Sequence, residues 1–196
     1  MKKIFIALVL IFAVTSAFSF TDLYKVNLDL NGNFKKDVAG GKISTDVKTG
    51  YSLVTEIPVP LKIGGFKLSA GLEYQLPRDV EGGGQISYFN KYLVFEKSIV
   101  ANKFHSITPL IKLGQGSAST KKGMGDVDDG LFYGIGVRYK LSSLAFAEIT
   151  YTVNSGEYLD GDGAVKRDTE YSKINFTWGS KLSPIKNAYD RYSSMH

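Results

Sequence analysis

The stretch "YGIGVRYKLSSLAFAEITYTVN", residues 133–154, alternates apolar and polar side chains along almost its whole length. One face carries Tyr133, Ile135, Val137, Tyr139, Leu141, Ala145, Ala147, Ile149, Tyr151 and Val153, and the other includes Gly134, Gly136, Arg138, Lys140, Glu148, Thr150 and Thr152. A period of two places successive side chains on opposite faces of a β-strand. The stretch predicts two strands joined by a tight turn, and it leaves open which face meets water.

The same alternation recurs in eight runs after residue 22. The other six are LYKVNLDLN, YSLVTEIPV, FKLSAGLEYQL, GQISYFNKYLVFEK, FHSITPLIKLG and YSKINFTWGS. The alternation is irregular around Asn90, where a β-bulge would restore it, and Pro109 counts against a regular central strand. Long, turn-rich connections at 31–48, 114–130 and 154–170 alternate with short ones such as KIGG and LSS. Alternating connection lengths are typical of an up-and-down membrane barrel.

The polar faces decide the orientation of the strands. A small barrel cannot hold all the Tyr, Phe, Leu and Ile side chains of these runs in its lumen, whereas lipid accepts them outside. Runs of about ten residues also match the length of a tilted membrane-spanning strand. We therefore predict an all-β fold, an eight-stranded antiparallel up-and-down transmembrane β-barrel. Its lumen is expected to hold a polar cluster of Lys25, Asp29, Glu56, Lys67, Glu73, Arg138, Glu148 and Lys173.

Aromatic residues cluster where the predicted strands end. Rings at interface depth form the girdles of membrane barrels. We expect Tyr24, Phe66, Tyr139 and Trp178 in the girdle at the short-turn end, and Tyr51, Tyr74, Tyr88, Tyr133 and Tyr151 in the girdle at the long-loop end.

The first residues predict export. Lys2 and Lys3 precede an apolar run from Ile4 to Val14, as in a secretory signal peptide, and the small residues Ala17 and Ser19 favour cleavage after Ser19. We expect residues 1–19 to be the signal peptide, 20–182 the barrel and 183–196 a periplasmic tail. Loss of the two lysines lowers the net charge from +5 to +3, so a nucleic-acid partner is not implied. The chain has no cysteine, which excludes disulfides and thiolate metal sites.

These features together resemble the small eight-stranded outer-membrane barrels of the OmpA-like and opacity-type porin families. The resemblance covers about residues 22–182 and rests on the signal peptide, the hairpin YGIGVRYKLSSLAFAEITY and the late strand KINFTWGSKL. It implies a non-enzymatic bacterial outer-membrane protein, with at most a narrow pore, whose loops contact lipopolysaccharide or host ligands.

One departure is the segment SPIKNAYDRYSSMH, which follows the last strand where such chains commonly stop at an aromatic residue. The partners we expect are outer-membrane lipid and surface ligands of the loops, for a monomer without a cofactor.

Two sequence patterns resemble functional sites, a serine–histidine pair and a calcium-binding loop, but neither has the residues or the geometry that its chemistry requires. His105 and Ser106 are adjacent, so they would point to opposite faces of one strand and lie out of reach of each other. In DGDGAVKRDTE, Asp160 and Asp162 fit the first and third positions of an EF-hand loop, but Ala164, Val165 and Tyr171 fall where ligands and a glycine are required. We therefore expect no catalytic residue and no metal site.

A soluble periplasmic barrel similar to a lipocalin, holding one small apolar ligand, is the alternative. In such a barrel the apolar faces of the strands would point inward, with Leu68, Leu72, Ile135 and Val137 lining an internal cavity.

Overall fold

The computed structural model describes residues 23–38, 40–101, 106–121, 127–142, 145–159 and 166–181. They form eleven strands: β1 (Leu23–Val38), β2 (Gly41–Val47), β3 (Gly50–Ile63), β4 (Phe66–Gln75), β5 (Arg78–Asp79), β6 (Gln85–Glu96), β7 (Val100–Ala101), β8 (Ser106–Lys121), β9 (Gly130–Lys140), β10 (Ala145–Leu159) and β11 (Lys166–Lys181). Within these ranges, no helix has the length and apolar character that a membrane span requires. The expected signal peptide and C-terminal tail lie outside the described residues.

Eight of the strands close into a ring. Its order is β1, β3, β4, β6, β8, β9, β10, β11 and back to β1, and every neighbouring pair is antiparallel. The pairing of β1 with β11 runs from Leu23 opposite Lys181 to Lys36 opposite Thr169. The remaining strands β2, β5 and β7 are short additions to this ring. The predicted antiparallel up-and-down barrel is confirmed.

The turn between β3 and β4 shows how the sequence fixes the register. Gly64 and Gly65 have φ values of +58° and +80°, and Ile63 pairs with Phe66 directly across the turn. Positive φ at both central residues is the geometry of a type I′ turn, whose twist matches that of the flanking strands. The two glycines therefore make the tight connection that the sequence predicts here.

The long connections differ from the prediction. β1 continues to Val38 and β2 folds back along it, so most of the expected loop at 31–48 is a hairpin. β10 and β11 remain paired from Ala145 opposite Ser180 out to Leu159 opposite Lys166. The strands run on because backbone pairing can continue beyond the point where the alternation of apolar and polar side chains ends. The long-loop end of the barrel thus carries projecting β-hairpins.

The outer face of the ring is apolar. Each barrel strand presents a large apolar side chain that is between 38% and 63% exposed, namely Val26, Leu53, Leu72, Leu93, Ile111, Ile135, Ile149 and Phe176. Val137 is 47% exposed, and Leu68 lies on the same face as Leu72, between its cross-strand neighbours Val59 and Phe95. The lipocalin-like alternative, in which these apolar side chains would line an internal cavity, is therefore wrong.

The inner face of the ring is polar and buried. Asn27, Glu56, Glu73, Asn90, Lys112, Arg138, Thr150 and Asn175, one from each barrel strand, are at most 8% exposed. β6 pairs with β8 without interruption from Gln85 to Glu96, so the bulge expected near Asn90 is absent from this strand. Register shifts lie instead between Leu30 and Asn33 and between Val59 and Lys62. Asn90 is a polar residue among apolar ones on its face of β6, and this face points into the polar lumen.

Glycines on the inner face make room for large neighbours. Gly71 pairs with Tyr92 on the adjacent strand, and the ring of Tyr92 occupies the space that a Cβ atom at position 71 would take. Gly179 and Phe146 form a second pair of this kind. Gly134 and Gly136 lie beside the methyl groups of Thr152 and Thr150, so small residues make room for lumen neighbours there as well.

Gly71→Ala is therefore expected to lower the free energy of unfolding by about 1–3 kcal/mol, because Tyr92 is fully buried and has to move. The measurement is equilibrium urea unfolding of the refolded protein. In a Tyr92→Ala background the same substitution should cost much less, since the ring is gone. Equal costs in both backgrounds would contradict this account.

Candidate functional site in the barrel lumen

Six charged side chains meet in the half of the lumen nearer the short turns. We call them the short-turn network: Lys25, Lys112, Arg138, Glu56, Glu96 and Glu148. Glu148 accepts hydrogen bonds from Lys25 Nζ, Lys112 Nζ and Arg138 Nε, each at 2.9 Å. The side chains of Lys25, Lys112 and Glu148 have no exposed surface. One carboxylate thus holds three cations from three different strands.

Glu56 and Glu96 complete the network. Glu56 lies 2.6 Å from Lys25 Nζ and accepts a hydrogen bond from Arg138 Nη2 at 2.9 Å. Arg138 Nη1 contacts Glu96 at 2.5 Å. Three positive and three negative groups therefore balance, and the planar guanidinium of Arg138 links all three carboxylates.

The register of β9 and β10 explains one of these contacts directly. Arg138 stands opposite Glu148, so both side chains project into the lumen at the same level. The charge-assisted contact across this hairpin agrees with the alternation of residues 133–154. Glu56, Lys25 and Lys112 reach the same point from β3, β1 and β8 because the ring closes around it.

A second set of charges lies nearer the long-loop end. This long-loop network comprises Asp29, Glu73, Arg78 and Lys173. Lys173 Nζ lies 2.5 Å from Glu73 and 3.4 Å from Asp29. Asp29 also contacts Arg78 and accepts a hydrogen bond from Ser52 at 2.5 Å. Two positive and two negative groups again balance, so neither network leaves a net charge inside the barrel.

A buried apolar cluster lies next to this second network, toward the long-loop end. It consists of Phe34, Val47, Val80, Ile86, Tyr88 and Tyr171, and we call it the plug layer. The rings of Tyr88 and Tyr171 are stacked with their centroids 5.1 Å apart and their planes at 5°. The guanidinium carbon of Arg78 lies 5.8 Å from the Tyr171 ring centroid, which joins the plug layer to the charges below it.

Buried amides also line the lumen. Both polar atoms of the Asn90 and Asn154 side chains lack a hydrogen bond to protein, and the two amide oxygens converge on Gly116. Buried polar groups of this kind are normally satisfied by ordered water. We therefore expect the interior to hold individual water molecules between side chains.

The structure places seven of the eight predicted lumen residues inside the barrel. Lys25, Asp29, Glu56, Glu73, Arg138, Glu148 and Lys173 are all at most 8% exposed. Lys67 is the exception and that prediction is wrong, since its side chain is exposed. It is the second residue of β4, next to the turn, where the inner face of the strand already opens to solvent.

Most of the predicted girdle residues lie on the outer face. Tyr51, Tyr133, Tyr139, Tyr151 and Trp178 are between 38% and 56% exposed, and Tyr24 and Tyr74 are half-buried. Tyr88 was wrongly assigned to the girdle, because it is 4% exposed and stacks in the plug layer. Tyr88 lies on the inner face of β6 together with Asn90 and Tyr92. Because both faces of this strand carry apolar residues, the sequence does not show which face is turned outward.

Sequence reasoning missed three members of the networks. Lys112 lies on the polar face of an alternating run, which signals its position, but Pro109 made that strand doubtful. Arg78 falls in a connection, and only the pairing of β5 with β6 turns its side chain toward Asp29. Glu96 lies at the end of strand β6 and belongs to the short-turn network through its contact with Arg138.

The hairpins at the long-loop end line a cleft of about 810 Å³. Charged residues of both signs line it: Lys35, Asp37, Lys42, Asp128, Asp129, Glu157, Lys166, Asp168 and Glu170. Lys166 Nζ donates hydrogen bonds to Glu157 at 2.7 Å and to Asp128 at 3.2 Å, and these contacts raise the pKa of Lys166. The lysine therefore remains charged and connects β10 and β11 to the segment that precedes β9.

The described part of the chain contains no group of three or more His, Cys, Asp or Glu side chains arranged to hold a metal ion. Asp160 and Asp162 lie outside the described residues, as does His105.

The chain is similar to several solved structures at low sequence identity. Neisserial surface protein A matches at 9% identity over 80% of this chain and 95% of that chain, with a TM-score of 0.44. Ail, the attachment invasion locus protein of Yersinia pestis, matches at 12% identity over 83% and 99%, with a TM-score of 0.47. The outer membrane enzyme PagL matches at 14% identity over 77% and 97%, with a TM-score of 0.39. No family model and no curated protein matches the chain.

Removing the central carboxylate should destabilise the barrel strongly. In Glu148→Gln, three buried cations face only Glu56 and Glu96, so we expect the free energy of unfolding to fall by about 3–5 kcal/mol in urea titrations. Glu170→Gln is the matched control, because it removes a carboxylate from the half-exposed pair with Lys35 and should cost under about 1 kcal/mol. Equal losses in the two variants would show that the network is not sealed from solvent.

Proposed function

We propose that this chain is a non-enzymatic outer-membrane β-barrel protein whose hairpins contact ligands at the cell surface. One observation carries the proposal: every one of the eight barrel strands exposes large apolar side chains on its outer face and buries charged or polar side chains on its inner face. In water this arrangement would expose a continuous apolar belt, which monomeric soluble proteins rarely do. In a bilayer the same belt faces lipid.

Ring closure supports the membrane location independently. Hydrocarbon offers no hydrogen-bond partner, so a spanning structure must pair its backbone groups internally, and a closed barrel does this. Each of the eight strands has a neighbour on both sides. The exposed Tyr51, Tyr133, Tyr139, Tyr151 and Trp178 are of the type that settles at membrane interfaces.

The lumen is filled by side chains and is therefore poorly suited to the transport of solutes. Two neutral ion networks and the plug layer fill it in succession, which agrees with the general rule that eight strands enclose space for side chains only. The described lumen charges are engaged with one another, which leaves no evident nucleophile and base pair. We propose at most a narrow path for ions.

The hairpins are the surface on which we place the function. Their cleft offers ammonium and carboxylate groups at the long-loop end, within reach of lipopolysaccharide or a host ligand. We propose a monomer, exported by a cleaved signal peptide, with residues 183–196 on the periplasmic side.

An arginine on the belt tests the membrane location. Ile135→Arg, at a side chain 63% exposed on β9, should lower the free energy of unfolding in lipid vesicles by about 2–4 kcal/mol if the position lies near the midplane. Ile43→Arg is the control, because Ile43 is 47% exposed on the β2 hairpin beyond the ring and should change stability by less than about 0.5 kcal/mol. The proposal fails if the two variants unfold alike.

Planar-bilayer recording tests the closed lumen. The parent protein should show no stable open-pore current, because the networks and the plug layer obstruct the axis. Arg138→Ala combined with Glu148→Ala should produce small conductance steps, whereas removal of the exposed pair Lys35 and Glu170 should not. A steady current through the parent would mean that the protein is a pore.

A further inference from the structure

Four lysines surround the short-turn end of the barrel. Lys62 and Lys67 lie beside the β3–β4 turn, Lys97 follows β6 and Lys140 ends β9. Lys62, Lys67 and Lys97 are exposed, and Lys140 is half-buried. We call these four residues the basic rim.

Two members of the basic rim repel each other. Lys62 and Lys67 are direct register partners across β3 and β4. Side chains in this relation have Cβ atoms about 5 Å apart, and like charges so placed are destabilising. Lys67 has Glu96 as its partner on the other side, but the Glu96 carboxylate contacts Arg138. Among the described residues, no acid is left to offset the repulsion of this pair.

The rest of the rim is equally short of anionic partners. Among the described residues at this end, the acids are Glu56, Glu96 and Glu148, and all three belong to the short-turn network. The hairpin end is different, because Lys35, Lys42, Lys48 and Lys166 each lie within 3.5 Å of a carboxylate. These four lysines are thus paired with carboxylates, whereas no carboxylate of the described residues pairs with a lysine of the basic rim.

Exposed apolar side chains accompany the basic rim. Ile63 is 53%, Phe66 37% and Ile99 72% exposed, and Lys97 Nζ lies 5.6 Å from the centroid of the Phe66 ring. Lysines beside exposed apolar groups suit a bilayer interface, where the apolar part enters the lipid and the ammonium remains with the headgroups.

We propose that the basic rim binds the anionic headgroups of phospholipids in the leaflet at the short-turn end. The phosphate of phosphatidylglycerol supplies the charge that Lys62 and Lys67 lack, and its acyl chains cover Ile63 and Phe66. This inference rests on the proposed membrane location. It adds a lipid preference that a membrane barrel does not otherwise require.

The test is electron spin resonance of spin-labelled lipids with the protein reconstituted in phosphatidylcholine vesicles. The fraction of motionally restricted label measures the lipid at the protein surface. Spin-labelled phosphatidylglycerol should be restricted in preference to phosphatidylcholine, and the preference should weaken in high salt. The triple variant Lys62→Gln, Lys67→Gln, Lys97→Gln should lower the relative binding constant at least about fivefold, the size of effect expected for one basic side chain near an anionic surface.

The control removes the same charge from the other end, as Lys35→Gln, Lys42→Gln, Lys48→Gln, and should keep the preference. If the triple rim variant does not refold, Lys67→Gln alone should show part of the loss. An equal preference for both lipids in the parent, or equal losses in rim and control variants, overturns the inference while leaving the membrane location intact. Absence of restricted lipid of either kind would refute the membrane location itself.

Discussion

The hydrogen-bonded pairing of β1 with β11 is the constraint on which the rest of the structure depends. It removes both free edges of the sheet and leaves each residue of the ring facing either the lumen or the outside. An eight-stranded lumen has room for side chains but little else, so every inward residue must fit against residues from other strands. The pairs Gly71 with Tyr92 and Gly179 with Phe146 are a direct consequence, because the missing side chain of each glycine leaves room for the large ring beside it.

Closure also explains why the interior charges form networks. Glu148 meets Lys25, Lys112 and Arg138 because four strands converge on one level of a narrow interior. A buried ion network need not be more stable than an apolar filling of the same volume, since desolvation offsets the attraction. Its value lies in specificity: a one-residue slip of β10 would turn Glu148 outward and Ile149 inward, and both changes are costly. The networks thereby fix which face of each strand points inward.

Much of this arrangement follows from the sequence, and the exceptions have physical causes. The period-two alternation gave the strand faces, and with them seven buried charges of the lumen. Lys67 was misplaced because alternation does not tell where a strand leaves the ring. Tyr88 was misplaced because an aromatic residue suits both an interface and a packed interior. Arg78 could not be found, since its contact with Asp29 depends on how a connection folds back over the lumen.

The two ends of the barrel show that composition does not reveal where the charged residues lie or which of them form ion pairs. A small net charge suggests no particular partner, yet among the described residues the lysines that pair with carboxylates are unevenly distributed between the two ends. At the hairpin end, ion pairs such as Lys166 with Glu157 connect the projecting strands. At the short-turn end, strand register brings Lys62 and Lys67 side by side while Arg138 engages the nearby carboxylate of Glu96. The same lumen network that balances the interior therefore withdraws an acid from the rim, which couples the filling of the barrel to the surface it presents to its surroundings.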